Sequence, residues 1–94
     1  MIKVKAVESY YRGLKRLIEQ DPKWKDIVEQ RLQWFRKNPD DTRLDSHELR
    51  RKMEGECSFS LSGNMRIVYK WTGKNEICLL DVGTHPEVYN RRYE

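Results

Sequence analysis

A chain of 94 residues has room for one small domain, and none for a cofactor domain beside a substrate domain. Charged residues (36%) nearly equal hydrophobic ones (37%), yet an aromatic content of 11%, with three Trp and five Tyr, argues against disorder. The net charge of +4 permits a nucleic-acid or acidic partner without requiring one.

Residues 2–5 alternate apolar and charged, as a short strand with one wet face does. Val7, Tyr10, Tyr11, Leu14, Leu17 and Ile18 then recur at helical spacing, predicting an amphipathic helix over residues 6–20, weakened slightly by Gly13. Asp21-Pro22 supplies a capping residue and a first-turn proline. A second helix is expected over 22–37, with Trp24, Ile27, Val28, Leu32 and Phe35 inward, stopped by Asn38-Pro39. The short link makes the pair an antiparallel hairpin. Residues 38–56 are polar and read as a surface connector, with Leu44, Leu49 and Met53 as possible anchors.

Three strands are expected at 57–61, 65–71 and 76–83, joined by turn-forming segments. The order β-α-α-β-β-β describes an α+β domain spanning 1–94, a two-helix hairpin on one face of a mainly antiparallel four-stranded sheet. A three-residue loop at 62–64 would pair Phe59 with Ile67 and Ser60 with Arg66. A four-residue loop at 72–75 would pair Ile67 with Leu80, Tyr69 with Cys78 and Arg66 with Asp81. Ser60, Arg66 and Asp81 would then form a row on the helix-free face, leading toward His85. Cys57 and Cys78 would flank Tyr69 about 9.5 Å apart, too far for a disulfide. Both are expected as buried free thiols.

No apolar run is long enough for a membrane helix, and the first residues lack the apolar stretch of a signal peptide, so the chain reads as cytoplasmic. Two cysteines alone make no zinc site. There is no glycine-rich phosphate loop, metalloprotease helix motif or nucleophile elbow.

The second half carries a pattern: His47-Glu48-Leu49, Gly55, Phe59-Ser60-Leu61, Met65-Arg66-Ile67-Val68-Tyr69, then Leu79-Leu80-Asp81-Val82-Gly83-Thr84-His85 and Tyr89. In this order it resembles the RelE/ParE superfamily of bacterial toxins, and most closely its RelE/StbE-type and YafQ-like messenger-RNA interferases. The resemblance implies the toxin of a type II toxin–antitoxin pair, a ribosome-dependent endoribonuclease needing neither metal nor cofactor. Its implied partners are a cognate antitoxin, the ribosome and messenger RNA, with no membrane and no small-molecule cofactor. By position, His47 matches the family's loop histidine, Arg66 its strand arginine, His85 its closing histidine and Tyr89 the aromatic after it. Ser60 lies near where YafQ-like members have a second His, Asn64 near an Asp, and Asp81 where several have a basic residue.

Metal-free RNA cleavage needs a base for the 2′-hydroxyl, an acid for the leaving 5′-oxygen and a cation for the developing charge. Histidine suits either proton transfer, and arginine can clamp a phosphate through two hydrogen bonds. His85 is thus the expected acid or base, Arg66 the clamp, and His47 the second proton-transfer group or a phosphate contact. Asp81 would orient Arg66. Arg50-Arg51-Lys52, the densest basic run, together with Ser60 and Tyr89, would contact RNA. The alternatives are a ParE-like gyrase inhibitor, whose branch generally lacks this histidine pattern, and a non-catalytic antitoxin-binding member.

Overall fold

The computed structural model describes residues 1–48 and 55–88. Strand β1 (Lys3–Ala6) leads into helices α1 (Glu8–Gln20) and α2 (Lys23–Lys37). A single 3-10 turn (Thr42–Leu44) and a two-residue strand β2 (His47–Glu48) follow. The chain then forms β3 (Glu56–Ser62), β4 (Met65–Gly73) and β5 (Glu76–Thr84), and ends its described part in a helical turn at 85–88.

The sheet has five strands in the order β1-β5-β4-β3-β2, not the expected four. The added strand is β2, which pairs antiparallel with β3 through His47 opposite Ser58 and Glu48 opposite Cys57. Two residues inside a polar connector carry no alternation, so nothing in their composition marks a strand. β1 runs parallel to β5, pairing Lys3 with Glu76 and Ala6 with Leu79, which makes the sheet mixed. Lys5 and Glu76 add a cross-strand ion pair at 3.2 Å.

Both helices cover one face. Tyr10, Leu17, Val28 and Phe35 pack with Phe59, Ile67, Tyr69, Ile77, Leu79 and Val82 in the main core. Phe35, fully buried, stacks on Phe59 at 5.3 Å and meets Tyr69 edge-on at 4.9 Å between ring centroids. Leu44 anchors the connector, and it too is fully buried. Leu49 and Met53 lie outside the described residues. The α1 face is rotated from expectation: Gly13 is buried, while Val7 and Tyr11 are exposed. Asp21 does cap α2, its carboxylate accepting the Lys23 N–H at 3.1 Å.

The register between β3 and β4 matches the reading at four positions, from Cys57 opposite Tyr69 to Ser60 opposite Arg66. The loop is shorter than expected. Only Gly63 and Asn64 turn the hairpin, and a bulge at Leu61 absorbs the extra residue. The phase of the serines survives because the two differences cancel.

Between β4 and β5 the expected register is wrong. Ile67 faces Val82, Tyr69 faces Leu79, Trp71 faces Ile77, and Arg66 faces Gly83. Asp81 lies opposite Val68. The turn is Lys74-Asn75, and the ladder shifts between Val68 and Tyr69 and between Trp71 and Gly73. Cys78 and Leu80 consequently point away from the helices and join Val68 and Val88 in a second, small cluster. Cys57 and Cys78 are free and buried; Cys57 lies beside Tyr69 as expected, but Cys78 belongs to the cluster on the opposite face of the sheet.

Candidate active site

The helix-free face of β3 and β4 carries Ser58, Ser60, Arg66 and Val68, with His47 beside Ser58 on β2. Arg66 is the centre of this face. Its side chain is only 11% exposed, so its donors need partners. Nε donates to the Ser58 hydroxyl at 2.8 Å, and Nη2 donates to the Asp45 carbonyl at 2.8 Å and to the Ser58 carbonyl at 3.4 Å. Nη1 approaches the Asp45 carboxylate at 3.7 Å, but that carboxylate is 77% exposed. Water screens the ion pair, which leaves the carbonyl as the firmer anchor.

The same carbonyl holds His47, whose Nδ1 lies 3.1 Å from it. A carbonyl can only accept, so Nδ1 carries the proton and Nε2 of the neutral ring is left as an acceptor. Asp45 turns this oxygen toward both side chains by adopting a left-handed conformation, φ 47°, at the end of the 3-10 turn. Aspartate tolerates that region better than most residues. The turn is itself braced. Asp41 accepts the Arg43 N–H at 3.0 Å and Arg43 Nη2 at 2.7 Å, and this pairing holds the Asp41 carboxyl below its usual range. The Arg43 guanidinium lies 3.7 Å over the Trp34 ring, and the Arg31 guanidinium lies 4.3 Å from the same ring.

His85 stands at the other end of the face. Its N–H donates to the Asn64 carbonyl at 2.8 Å, which ties the end of β5 to the β3–β4 hairpin. Thr84 begins the helical turn: its hydroxyl donates to Glu87 Oε1 at 2.6 Å and accepts the Glu87 N–H at 3.3 Å. Val88, 2% exposed, docks the turn against Val68, Cys78 and Leu80. His85 is exposed. His47 and His85 are three strands and four residues apart in register, roughly 20 Å between backbones, with Arg66 between them.

The structure therefore brings His47 and Arg66 to one carbonyl, keeps Ser60 beside Arg66, and sets His85 one strand over and two residues beyond Gly83. It does not join Asp81 to Arg66. Asp81 is buried beside α1, near Gly13, in a groove of about 550 Å³ lined by Ser9, Arg12, Lys15, Arg16 and Glu19. The orienting groups for Arg66 are Ser58 and Asp45, which the sequence reading missed. One signal was present: Ser58 and Arg66 fall on one strand face whenever Ser60 pairs with Arg66. Arg50, Arg51, Lys52 and Tyr89 lie outside the described residues. Among the described residues no group of three or more His, Cys, Asp or Glu is placed to hold a metal ion. No described helix is long and apolar enough to cross a membrane.

No protein-family model matches the sequence, and no curated protein matches it. Solved structures do. A metal-bound toxin from Helicobacter pylori superposes with a TM-score of 0.78 at 18% identity, covering 94% of this chain and 99% of that one. YafQ from E. coli gives 0.77 at 14% identity, with coverage of 95% and 99%, and in its complex with DinJ 0.73 at 15%, with coverage again of 95% and 99%. A YoeB/ParE toxin from Agrobacterium tumefaciens gives 0.76 at 15% identity, with coverage of 89% and 99%. Over nearly its whole length, the chain has the fold of the YafQ and YoeB/ParE toxins.

Proposed function

We propose that this protein is the toxin of a type II toxin–antitoxin pair, a ribosome-dependent endoribonuclease that cuts messenger RNA without metal and acts in the cytoplasm. The observation that carries the reading is the shared Asp45 carbonyl, which presents a histidine with a free Nε2 beside a guanidinium, on a toxin-like fold. In the reaction, the 2′-hydroxyl attacks the adjacent phosphorus as His47 Nε2 takes its proton. The bond from phosphorus to the 5′-oxygen breaks, and that oxygen takes a proton relayed through water from His85, whose backbone lies roughly 20 Å from that of His47. The products are a 2′,3′-cyclic phosphate and a 5′-hydroxyl. Arg66, between the histidines, steadies the charge on the phosphorane. Ser60 contacts the RNA beside it. Arg50, Arg51 and Lys52 grip RNA phosphates, and Tyr89 stacks on a base. A cognate antitoxin is the expected protein partner, supported by the likeness to YafQ, which has been solved bound to DinJ.

The burial of Arg66 supports a second reading, a non-catalytic member that only engages an antitoxin, because its guanidinium is already occupied by Ser58 and Asp45. Purified ribosomes programmed with a short messenger separate the two, with cleavage read by primer extension. Cleavage in the A-site codon that both His85→Ala and Arg66→Ala abolish is the expected result. Cleavage surviving both substitutions overturns the residue roles. A folded native protein that leaves the messenger intact overturns the nuclease reading. Growth arrest with a DNA-damage response would then point to a gyrase inhibitor.

A further inference from the structure

Residues 45–47 cross the edge of the sheet, and each is held from a different side. The Asp45 carbonyl is gripped by Arg66 from the helix-free face. His47 is fixed by the ladder to Ser58. Between them, the Ser46 hydroxyl shares a hydrogen bond of 2.6 Å with the Tyr69 hydroxyl, which reaches it from the helix face. Tyr69 is 4% exposed and its ring is wedged against Phe35, Phe59 and Trp71. Burial pushes its phenol up to about 12, so the hydroxyl stays neutral and able to donate. A rigid aromatic thus has its one polar atom aimed at the residue that links Asp45 to His47.

We propose that Tyr69 and Ser46 are positioning residues: their hydrogen bond fixes the peptide between Asp45 and His47, and so holds the Asp45 carbonyl where it selects the His47 tautomer and aligns Arg66. The pair touches no substrate. It acts through the backbone from the opposite face of the sheet. The left-handed turn at Asp45 explains why such a brace is needed. A non-glycine residue in that region relaxes toward ordinary backbone angles unless its surroundings hold it. If the turn relaxes, the carbonyl swings away from both side chains and the His47 ring loses the acceptor that keeps its proton on Nδ1. This inference rests on the reading of His47 and Arg66 as working groups, but its structural half stands apart from it.

The test uses the full chain labelled with ¹⁵N. With only two histidines, both imidazole spectra are readily assigned. In the native protein the His47 ring is expected as the Nδ1–H tautomer. Tyr69→Phe keeps the ring packing, and Ser46→Ala removes the other hydroxyl. Each is expected to shift His47 toward a mixture of tautomers while His85 is unchanged, and Ser46→Thr, which keeps a hydroxyl, to restore the native spectrum. In the ribosome assay the first two should lower kcat on the order of tenfold with KM unchanged. A His47 spectrum that stays native in folded Tyr69→Phe and Ser46→Ala overturns the proposal. A tautomer shift in a protein that cleaves no RNA supports the positioning role and overturns the nuclease reading instead.

Discussion

Gly13 of α1 rests against Val82 of β5: a Cβ built on Gly13 would lie 2.9 Å from the Val82 carbonyl oxygen and 3.0 Å from its Cγ1. The first obstacle is backbone in the sheet and cannot turn aside. The glycine weakens α1 as a helix by ~1 kcal/mol, but it lets α1 settle onto the sheet. Gly13→Ala is therefore expected to destabilise the fold by ~1–3 kcal/mol despite the gain in helix propensity. Urea unfolding followed by far-ultraviolet circular dichroism measures this. A more stable variant would mean that α1 sits farther from β5 than the structure has it.

Phe35 joins α2 to the sheet through three aromatic neighbours, with ring centroids 4.9 to 5.8 Å away. Phe35→Ala removes all of them and leaves a cavity in a fully buried place. The expected loss is ~3–5 kcal/mol in the same urea experiment. A loss below that range would show that α2 collapses inward to fill the space.

Alkaline pH should unfold the protein in a defined window. Burial pushes the phenols of Tyr10 and Tyr69 up from 10 to about 12. Above pH 10 the unfolded chain sheds these protons and the folded one does not, so stability is full below pH 10 and falls as pH rises toward 12. Each phenol contributes on the order of 2–3 kcal/mol across that window. Tyr69→Phe should flatten part of the decline. Unfolding midpoints between pH 9 and 12, taken with tyrosinate absorbance, check both the sign and the share.

Much of the fold is legible in the sequence, and the failures have local causes. The helices announce themselves by spacing, and Asp21-Pro22 by capping chemistry. Residues 57–60 alternate cleanly between apolar side chains and serine, so their register could be read. Residues 77–82, Ile-Cys-Leu-Leu-Asp-Val, do not alternate. A bulge in such a run shifts every later side chain to the other face and leaves no trace in residue type. Two such shifts, one next to the turn after Trp71 and one between Val68 and Tyr69, moved Cys78 out of the main core and set Asp81 opposite Val68 instead of Arg66. His47 and Arg66 are visible by residue type. Their connection is not, because it runs through a backbone oxygen whose direction depends on one left-handed residue.

Arg66→Lys keeps the charge but cannot reproduce the fork that reaches Ser58 and Asp45 together. With Ser58 buried at 2% exposure, the substitution is expected to cost ~1–3 kcal/mol in stability. On the proposed nuclease reading, it should also lose most of the RNA cleavage. Near-native cleavage by the lysine variant would reduce Arg66 to a simple counter-charge.

The two thiols should resist a thiol reagent in the native protein and react fully once it is unfolded. Burial raises the pKa of Cys57, which slows it further. Cys78 is shielded in part by Val88 from the terminal turn. Val88→Ala should therefore speed modification of Cys78 and leave Cys57 as slow as before, read by mass spectrometry of peptides. Equal acceleration of both would indicate general loosening instead of release of that turn.

The parallel pairing of residues 3–6 with 76–79 bears on when the molecule comes into being during its own synthesis. Helix α1 leaves the ribosome early, yet its buried side chains rest on β5, which is made near the end of the described chain. Contacts so distant in sequence form late and slowly. A nascent chain carrying β1, both helices and the first hairpin still lacks the strand on which the first helix packs. It also lacks His85 and the hydrogen bond that ties the end of β5 to that hairpin. On the proposed nuclease reading, this topology leaves the nascent chain without a complete site until β5 has been translated.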